Sequence, residues 1–259
     1  MRIQLLTAAV LWCGLARPAA PAQELHGAER EAVLSSAREH YYSLTGKGVR
    51  SFTCGVRFDF STLSKGLLPP EDEADRRLLE SATFVVKVSP GGPMLGFRFP
   101  QGSVSQSQDT VAAVTLWVSE LVQGFFQTWP PRGFAGPVPE SRQVRDVVRD
   151  GDGYRILAKV AGTLVELHLN REFLVTEVIG HADAQTEQPQ FNQTPEGLVY
   201  AGGGSVETDA QGKTQVHHAI ESARVDGVLL PRQVHLQVGQ FVDVRWAMDG
   251  CTVERRVLR

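Results

Sequence analysis

The sequence predicts an α+β fold in which a strongly curved antiparallel sheet, an incomplete β-barrel, is covered by an N-terminal helix and one or two internal helices. The first observation is an alternation between Gln143 and Val257, where apolar residues recur at every second position. Such alternation gives each strand one buried face and one solvent-exposed face. The second observation is that turn residues, among them Asp226-Gly227 and Asp249-Gly250, separate the runs at short intervals. Short connections require antiparallel neighbours, because a parallel crossover needs a dozen residues or more.

The alternating segment is long enough for about eight or nine strands. Its apolar positions include Tyr154, Ile156, Ala158, Val160, Val165, Leu167, Leu169, Val234, Leu236, Val238, Val242, Val244, Trp246 and Met248. The whole chain has 259 residues, is 42% hydrophobic and carries a formal net charge of -3, which leaves no electrostatic footprint for nucleic acid or an anionic membrane. We therefore expect a single domain over residues 23–259 that acts as a monomer without a nucleic-acid partner.

The first 22 residues have the pattern of a secretory signal peptide. Arg2 supplies a positive start, residues 3–15 form an apolar segment too short to span a bilayer stably, and Ala20-Pro21-Ala22 is a small-x-small cleavage site. Cleavage there predicts a mature chain that begins near Gln23. The expected location is therefore periplasmic or secreted.

The three cysteines are interpreted in the light of this export signal. Cys13 would leave with the signal peptide, and Trp12 before it is too large for the residue that usually precedes a lipid-modified cysteine. An uncleaved anchor and a lipoprotein acylated on Cys13 both stay open as alternatives. Cys54 and Cys251 remain as an even pair in an oxidising compartment, and both lie on the core side of their strands, so they are a candidate disulfide. No cysteine has metal-ligand spacing.

The N-terminal half of the domain mixes helices and strands. Residues Glu24 to Leu44 predict an amphipathic helix, and a second, short helix is expected after Pro69-Pro70. Thr83 to Val88 and Met94 to Phe99 predict a hairpin. Between the two helices lies the clearest strand, 51–60, whose core-facing residues are Phe52, Cys54, Val56, Phe58 and Phe60.

The third predicted helix, about Asp109 to Thr128, is apolar around much of its circumference. Four of its residues follow the spacing that places side chains on one helix face: Val114, Trp117, Leu121 and Phe125. Glu120 at its centre and the lack of flanking basic anchors disfavour a transmembrane interpretation. We expect this helix to be buried against the sheet.

Two stretches are predicted as loops, and one glycine run needs an interpretation. Arg132 to Ser141 is rich in proline and glycine, and Ala182 to Glu196 is polar and long enough to be a functional or mobile loop. Gly202-Gly203-Gly204 precedes a strand instead of opening a helix, so it does not resemble a phosphate-binding loop. A β-bulge or a close approach of two backbones is the better interpretation.

No motif for catalysis, metal binding or a cofactor is present, so none of these is assigned to any residue. Adjacent His217 and His218 make a poor metal site, because neighbouring strand residues face opposite sides. His218 shares its phase with apolar Val216 and Ile220. It is either a hydrogen-bonded histidine within the core or a polar group inside a cavity.

The late segments GLVYAGGGSVETD and VDGVLLPRQVHLQV complete a layout of signal peptide, amphipathic helix, Phe-rich strand, internal helices and long antiparallel run. This layout resembles the periplasmic lipoprotein carriers, the LolA-like family, and related lipid-binding lipoproteins. The resemblance implies a half-barrel whose apolar concave face holds lipids or lipoprotein acyl chains, with an envelope membrane protein as a further candidate partner. It assigns a role to no individual residue.

Side chains alone do not fill a wide open barrel, and apolar cavities with few polar groups suit lipids. We therefore predict an exported, non-enzymatic lipid-binding protein. Its ligand cavity is predicted to be lined by Phe52, Val56, Phe58, Phe60, Val114, Trp117, Leu121, Phe125 and His218. The competing hypothesis is a structural or interaction module of the cell envelope whose core is filled by its own side chains.

Overall fold

The computed structural model describes residues 22–59, 80–99, 108–160, 162–181, 185–209, 212–239 and 242–256. Within these ranges thirteen strands form one antiparallel sheet, accompanied by two α-helices. The helices are α1 (Gly27–Glu39) and α2 (Gln108–Thr128), and α2 is followed by a π-helix (Pro130–Phe134) and a 3-10 helix (Ser141–Gln143). The strands are β1 (Gln23–Glu24), β2 (Val49–Asp59), β3 (Thr83–Ser89), β4 (Gly92–Arg98), β5 (Val144–Asp150), β6 (Gly153–Val160), β7 (Thr163–Leu169), β8 (Val175–Gly180), β9 (Gln185–Thr194), β10 (Gly197–Asp209), β11 (Gly212–Val225), β12 (Val228–Val238) and β13 (Val242–Arg255).

The sheet is open, with β1 at one edge and β4 at the other. Strands β5 to β13 lie beside one another in chain order, as their short connections predict. The last strand, β13, then pairs with β2, in a register that sets Trp246 opposite Phe58 and Met248 opposite Val56. Strands β3 and β4 form the predicted hairpin. The predicted large antiparallel sheet with helices is therefore present.

The predicted disulfide joins the two strands that bring the ends of the domain together. Cys54 of β2 and Cys251 of β13 are bonded, with their Cα atoms 4.1 Å apart and a sequence separation of 197. Cys54 is almost fully buried. The covalent bond therefore reinforces the pairing of β2 with β13, two strands that lie far apart in the sequence.

One face of the sheet, which we call the inner face, carries two hydrophobic cores. Directly opposite strand residues project to the same side, so a row of partners can be followed across the sheet. From β5 to β11 the row is Val147, Ile156, Leu167, Val178, Glu187, Ser205 and Val216. Its two polar members, Glu187 and Ser205, are both buried, so the inner face is polar at β9 and β10 and apolar on either side.

The first core lies against α1. The helix contributes Val33, Leu34 and Ala37, which pack with inward residues of β5 to β8. The first predicted helix was too long: it ends at Glu39, and Tyr41 and Tyr42 instead bind the sheet. The Tyr41 hydroxyl accepts from the Val175 amide at 2.6 Å, and the Tyr42 hydroxyl accepts from the Leu229 amide at 2.8 Å. These neighbours belong to different cores, so this short segment links them.

The second core is aromatic and includes α2, which confirms the third predicted helix. Phe126 and Trp129 contact the Phe52 ring edge-on, with centroids 6.3 and 5.9 Å away, and Phe134 stacks on the same ring at 6.3 Å. Phe125 contacts Trp246 of β13 at 5.3 Å. Among the described residues, no helix has both the length and the hydropathy needed to cross a membrane.

The predicted loop from Ala182 to Glu196 was wrong, because residues 185–194 form strand β9. This stretch has few apolar residues, and its backbone instead pairs with β10 along most of its length and with β8 at Gln185 to Glu187. Tertiary pairing thus overrides weak strand propensity here. The short helix predicted after Pro69-Pro70 lies outside the described residues.

Candidate functional site

A cavity of about 330 Å³ lies between α2 and the inner face of strands β9 to β12. Its apolar wall is formed by Leu121 and Phe125 of the helix and by Val216, Leu236 and Val238 of the strands. Its polar wall comprises Glu120, Gln127, Thr128, Arg132, Gln185, Glu187, Tyr200, Ser205 and His218. The volume falls at the lower end of the range of about 300–1,000 Å³ that is usual for small-molecule sites.

Four of these polar side chains form a hydrogen-bonded chain at one side of the cavity. Arg132 donates to the Glu187 carboxylate, and the Tyr200 hydroxyl donates to the other oxygen of that carboxylate at 2.8 Å. The His218 Nε2 atom lies 2.5 Å from the Tyr200 oxygen. Glu187 and Tyr200 are 5% and 4% exposed. A carboxylate this deeply buried requires such partners, because removing it from water without them is strongly unfavourable.

Three adjacent strands and the end of α2 position these four hydrogen-bonded side chains. Glu187 lies on β9, Tyr200 on β10 and His218 on β11, while Arg132 follows α2 and donates a second bond to the Thr128 carbonyl at 2.8 Å. Tyr200 and Ser205 are five residues apart, so a regular strand would point them to opposite faces. The register shift between Tyr200 and Gly202 lets both reach the inner face.

The glycine run next to Tyr200 permits a close approach of three backbones. A Cβ atom on Gly202 would lie 2.1 Å from the His218 carbonyl oxygen, and one on Gly203 would lie 2.5 Å from that of Gln188. Both distances are far below contact, so no side chain fits there. The predicted bulge or close approach at these glycines is confirmed, and its consequence is that Tyr200 and His218 come within hydrogen-bonding distance.

Burial determines the protonation states of Tyr200 and His218 in this hydrogen-bonded group. It raises the pKa of Tyr200 well above its usual range, and the nearby Glu187 carboxylate adds to this effect. Burial also lowers the pKa of His218 to about 4, against an opposing attraction from Glu187. Both groups are therefore neutral at pH 7. Since Tyr200 donates its proton to Glu187, its oxygen accepts from His218, which requires the Nε2–H tautomer and leaves Nδ1 as an acceptor.

The arrangement does not activate Tyr200 as a nucleophile. Tyr200 remains protonated and is hydrogen-bonded on both sides, and the Glu187 carboxylate is engaged by Arg132. A nucleophile needs instead a free lone pair beside an unengaged base. In the part of the chain that the structure describes, no group of His, Cys, Asp or Glu side chains has metal-binding geometry.

The structure divides the sequence-predicted lining residues into three sets. Leu121, Phe125 and His218 line the cavity. Phe52, Val56, Phe58 and Trp117 instead pack in or against the aromatic core, because side chains fill the inner face around the disulfide, whereas the cavity lies at β9 to β12. Phe60 and the side chain of Val114 lie outside the described residues.

Sequence reasoning missed Arg132, Glu187, Tyr200 and Ser205. Arg132 and Glu187 fell within the two predicted loops, and Tyr200 and Ser205 flank the glycine run whose bulge changes their phase. One signal was present in the misassigned segment: Glu187, Pro189 and Phe191 alternate with the exposed Gln188, Gln190 and Asn192. A period-two pattern with an acid at an inward position would have pointed to a buried charge.

A larger concavity of about 850 Å³ lies on the opposite face of β2 and β9 to β13. Its side chains include the exposed Arg57, Asn192, Glu221 and Gln233. Such a solvated surface is ordinary for the polar side of a sheet. The cavity beside α2 combines an apolar wall with a buried polar chain, and we take it as the candidate site.

No family model, curated protein or solved structure matches this chain.

Proposed function

We propose that the chain is an exported cell-envelope protein that binds or carries lipids, acyl chains of lipoproteins or other apolar ligands. The observation that carries this proposal is the cavity of about 330 Å³ beside α2. Leu121, Phe125 and Leu236 give it an apolar wall, while the polar chain lies on another side. A ligand with an apolar tail and one polar end matches this division. A cavity of about 150 Å³ accommodates benzene, so one tail of roughly twelve carbons is the expected size.

The proposed fold is an incomplete β-barrel with both helices over its inner face, as in LolA-like carriers. Contacts of α1 with the first core and of α2 with the second support this arrangement. Both cores lie on the inner face of the same open sheet. A ligand between α2 and the strands would then be shielded from water by the helix.

The proposed location is periplasmic or extracellular, after cleavage of residues 1–22. The Cys54–Cys251 disulfide is consistent with an oxidising compartment. Gln23 is the first residue of β1, and Leu25 is buried and donates its amide to Val147 at 2.7 Å. N-terminal sequencing of the exported protein should therefore start at or near Gln23. A sequence that starts at Met1 would contradict this location.

Ligand binding is tested by filling the cavity from α2. Gly124 lines the cavity, and a Cβ atom on it would meet nothing within 4 Å. Gly124→Phe should block the cavity without loss of stability, since glycine is among the least favourable residues in a helix interior. Gln123→Phe is the matched control, because Gln123 is exposed on the same helix and is not part of the cavity wall.

The measurement is native mass spectrometry with lipid extraction of protein purified from a periplasm. The parent and Gln123→Phe proteins should carry a lipid, and Gly124→Phe should carry none. Added dodecyl amphiphiles and their shorter homologues should bind the parent roughly fourfold more tightly for each methylene, until the cavity is full. Equal ligand content in all three proteins would place the ligand elsewhere.

A second candidate function is the structural module of the envelope. Its support is the dense aromatic packing around Phe52, where Phe126, Trp129 and Phe134 leave little space for a ligand. In that case none of the three proteins would bind amphiphiles. Trp117→Ala serves as a stability control for both functions. Because Trp117 packs against the core and does not line the cavity, its truncation should lower stability and leave ligand binding unchanged.

A further inference from the structure

The cavity wall offers no unpaired cation to a ligand. Among its described residues, the charged side chains are the carboxylates of Glu120 and Glu187 and the guanidinium of Arg132. Arg132 is engaged by the Glu187 carboxylate and by the Thr128 carbonyl, and its Nε atom is buried out of reach. The formal charge of these residues is therefore -1, and their one positive group, the Arg132 guanidinium, is already hydrogen-bonded within the protein.

The remaining polar groups of the wall are uncharged. Burial keeps His218 neutral, and its Nδ1 atom is an acceptor once Nε2 donates to Tyr200. Ser205 is buried on the neighbouring strand, with the Gln185 amide 3.4 Å from its hydroxyl. A hydroxyl or amide head group could both donate to His218 and accept from the serine hydroxyl. A carboxylate or phosphate could only accept, and it would meet a wall whose net formal charge is -1.

We propose that the cavity selects a single-chain amphiphile with an uncharged, hydrogen-bonding head group, such as an alcohol, glyceryl ester or amide, over an anionic one of equal chain length. This inference rests on the proposed lipid-binding function. Its physical basis is that an anion entering the cavity would lose its water without gaining a counter-charge, which is strongly unfavourable. A cationic head gains little, because Glu187 is already neutralised by Arg132 and the exposed Glu120 carboxylate is screened by water.

The test is displacement of a bound hydrophobic dye at pH 7.5 by dodecanol, monododecanoyl glycerol, dodecanoate, dodecyl phosphate and dodecylamine. We expect the two neutral compounds to bind at least tenfold more tightly than the two anions and the amine. Equal or tighter binding of an anion or of the amine would overturn the head-group selectivity while leaving lipid binding intact. If the dye and all five compounds failed to bind, the proposed function itself would be wrong.

A variant provides the reciprocal test. Glu187→Gln keeps an acceptor for Tyr200 but removes the charge that engages Arg132, so the guanidinium becomes available to a ligand. The preference should then invert, with dodecanoate gaining at least tenfold in affinity relative to dodecanol. Glu221→Gln removes an exposed carboxylate on the opposite face of the sheet and leaves Arg132 paired, so it should leave the preference unchanged. An unchanged order of affinities in a folded Glu187→Gln protein would also overturn the proposal.

Discussion

Burial of His218 in the cavity wall makes the stability of the protein depend on pH. Its pKa is lowered from 6.5 to about 4, chiefly by burial, so the unfolded state binds the proton first as pH falls. Stability from this group is therefore complete above about pH 6.5 and is lost between pH 6.5 and 4. The size of the loss is roughly 3 kcal/mol, from about 1.4 kcal/mol per pKa unit.

The His218→Gln variant should lack this part of the pH dependence. Urea denaturation at pH 7 and at pH 4.5 should show a smaller loss of unfolding free energy in the variant than in the parent. His217→Gln is the matched control, since His217 is the neighbouring residue on β11 and is exposed. Parallel losses in the parent and in His218→Gln would show that His218 is not held neutral.

Arg132 and Glu187 form the buried ion pair of the site. Substitutions of the two residues should therefore have coupled effects on the unfolding free energy. Arg132→Met leaves the Glu187 carboxylate buried without its cation and should lower the unfolding free energy by about 3 kcal/mol or more. The double variant Arg132→Met with Glu187→Gln removes both charges and should recover most of that loss. A double-mutant cycle in urea measures the coupling. Additive losses in the cycle would mean that the pair has no net interaction.

At the scale of the element, β10 depends on the absence of a side chain at Gly203. A methyl group there would press on the Gln188 carbonyl oxygen and on the Pro189 Cα atom, both of which are backbone. Gly203→Ala should therefore lower stability by about 2–3 kcal/mol, since overpacking forces a backbone shift. Gly96→Ala, in open space on β4, is the strand control and should change stability by less than about 1 kcal/mol.

The comparison uses thermal denaturation of both variants. The Gly203 variant should also bind the hydrophobic dye less well, because a shift of β10 moves Tyr200 and Ser205 relative to the cavity. If Gly203→Ala unfolded at the temperature of the parent, the close packing of β9 against β10 would be disproved.

At the scale of the whole molecule, the disulfide closes a covalent loop that includes most of the chain. Cys54 and Cys251 are 197 positions apart, and the chain-entropy relation gives about 5 kcal/mol of stabilisation for a loop of this length. Reduction should therefore lower the unfolding free energy by up to that amount, measured in urea with and without dithiothreitol. The Cys54→Ser, Cys251→Ser double variant should be insensitive to the reductant. Two free thiols in the unreduced exported protein would contradict the bond.

The sequence by itself determined the elements whose pattern is local and strong. The alternation in β6, β7, β12 and β13, the β3–β4 hairpin and α2 all follow from periods of two or 3.6 residues, which a packed face imposes on any sequence. The disulfide was also predicted from the sequence, because two core-facing cysteines in an exported chain are expected to pair in an oxidising compartment. Even the glycine run was interpretable, since three glycines in a strand mark a place where a side chain does not fit.

The tertiary structure alone decided which inward positions are filled and which border a cavity. Phe52 and Phe125 are both inward aromatic residues in the sequence, yet the first is enclosed by other rings and the second faces open space. Periodicity reports which side of an element is buried, but not the volume on that side. The pairing of Arg132 with Glu187 was also invisible, because those residues are 55 positions apart and meet only when β9 enters the sheet. A charged residue can be buried where an oppositely charged partner neutralises it, and partners distant in sequence meet only in the folded chain.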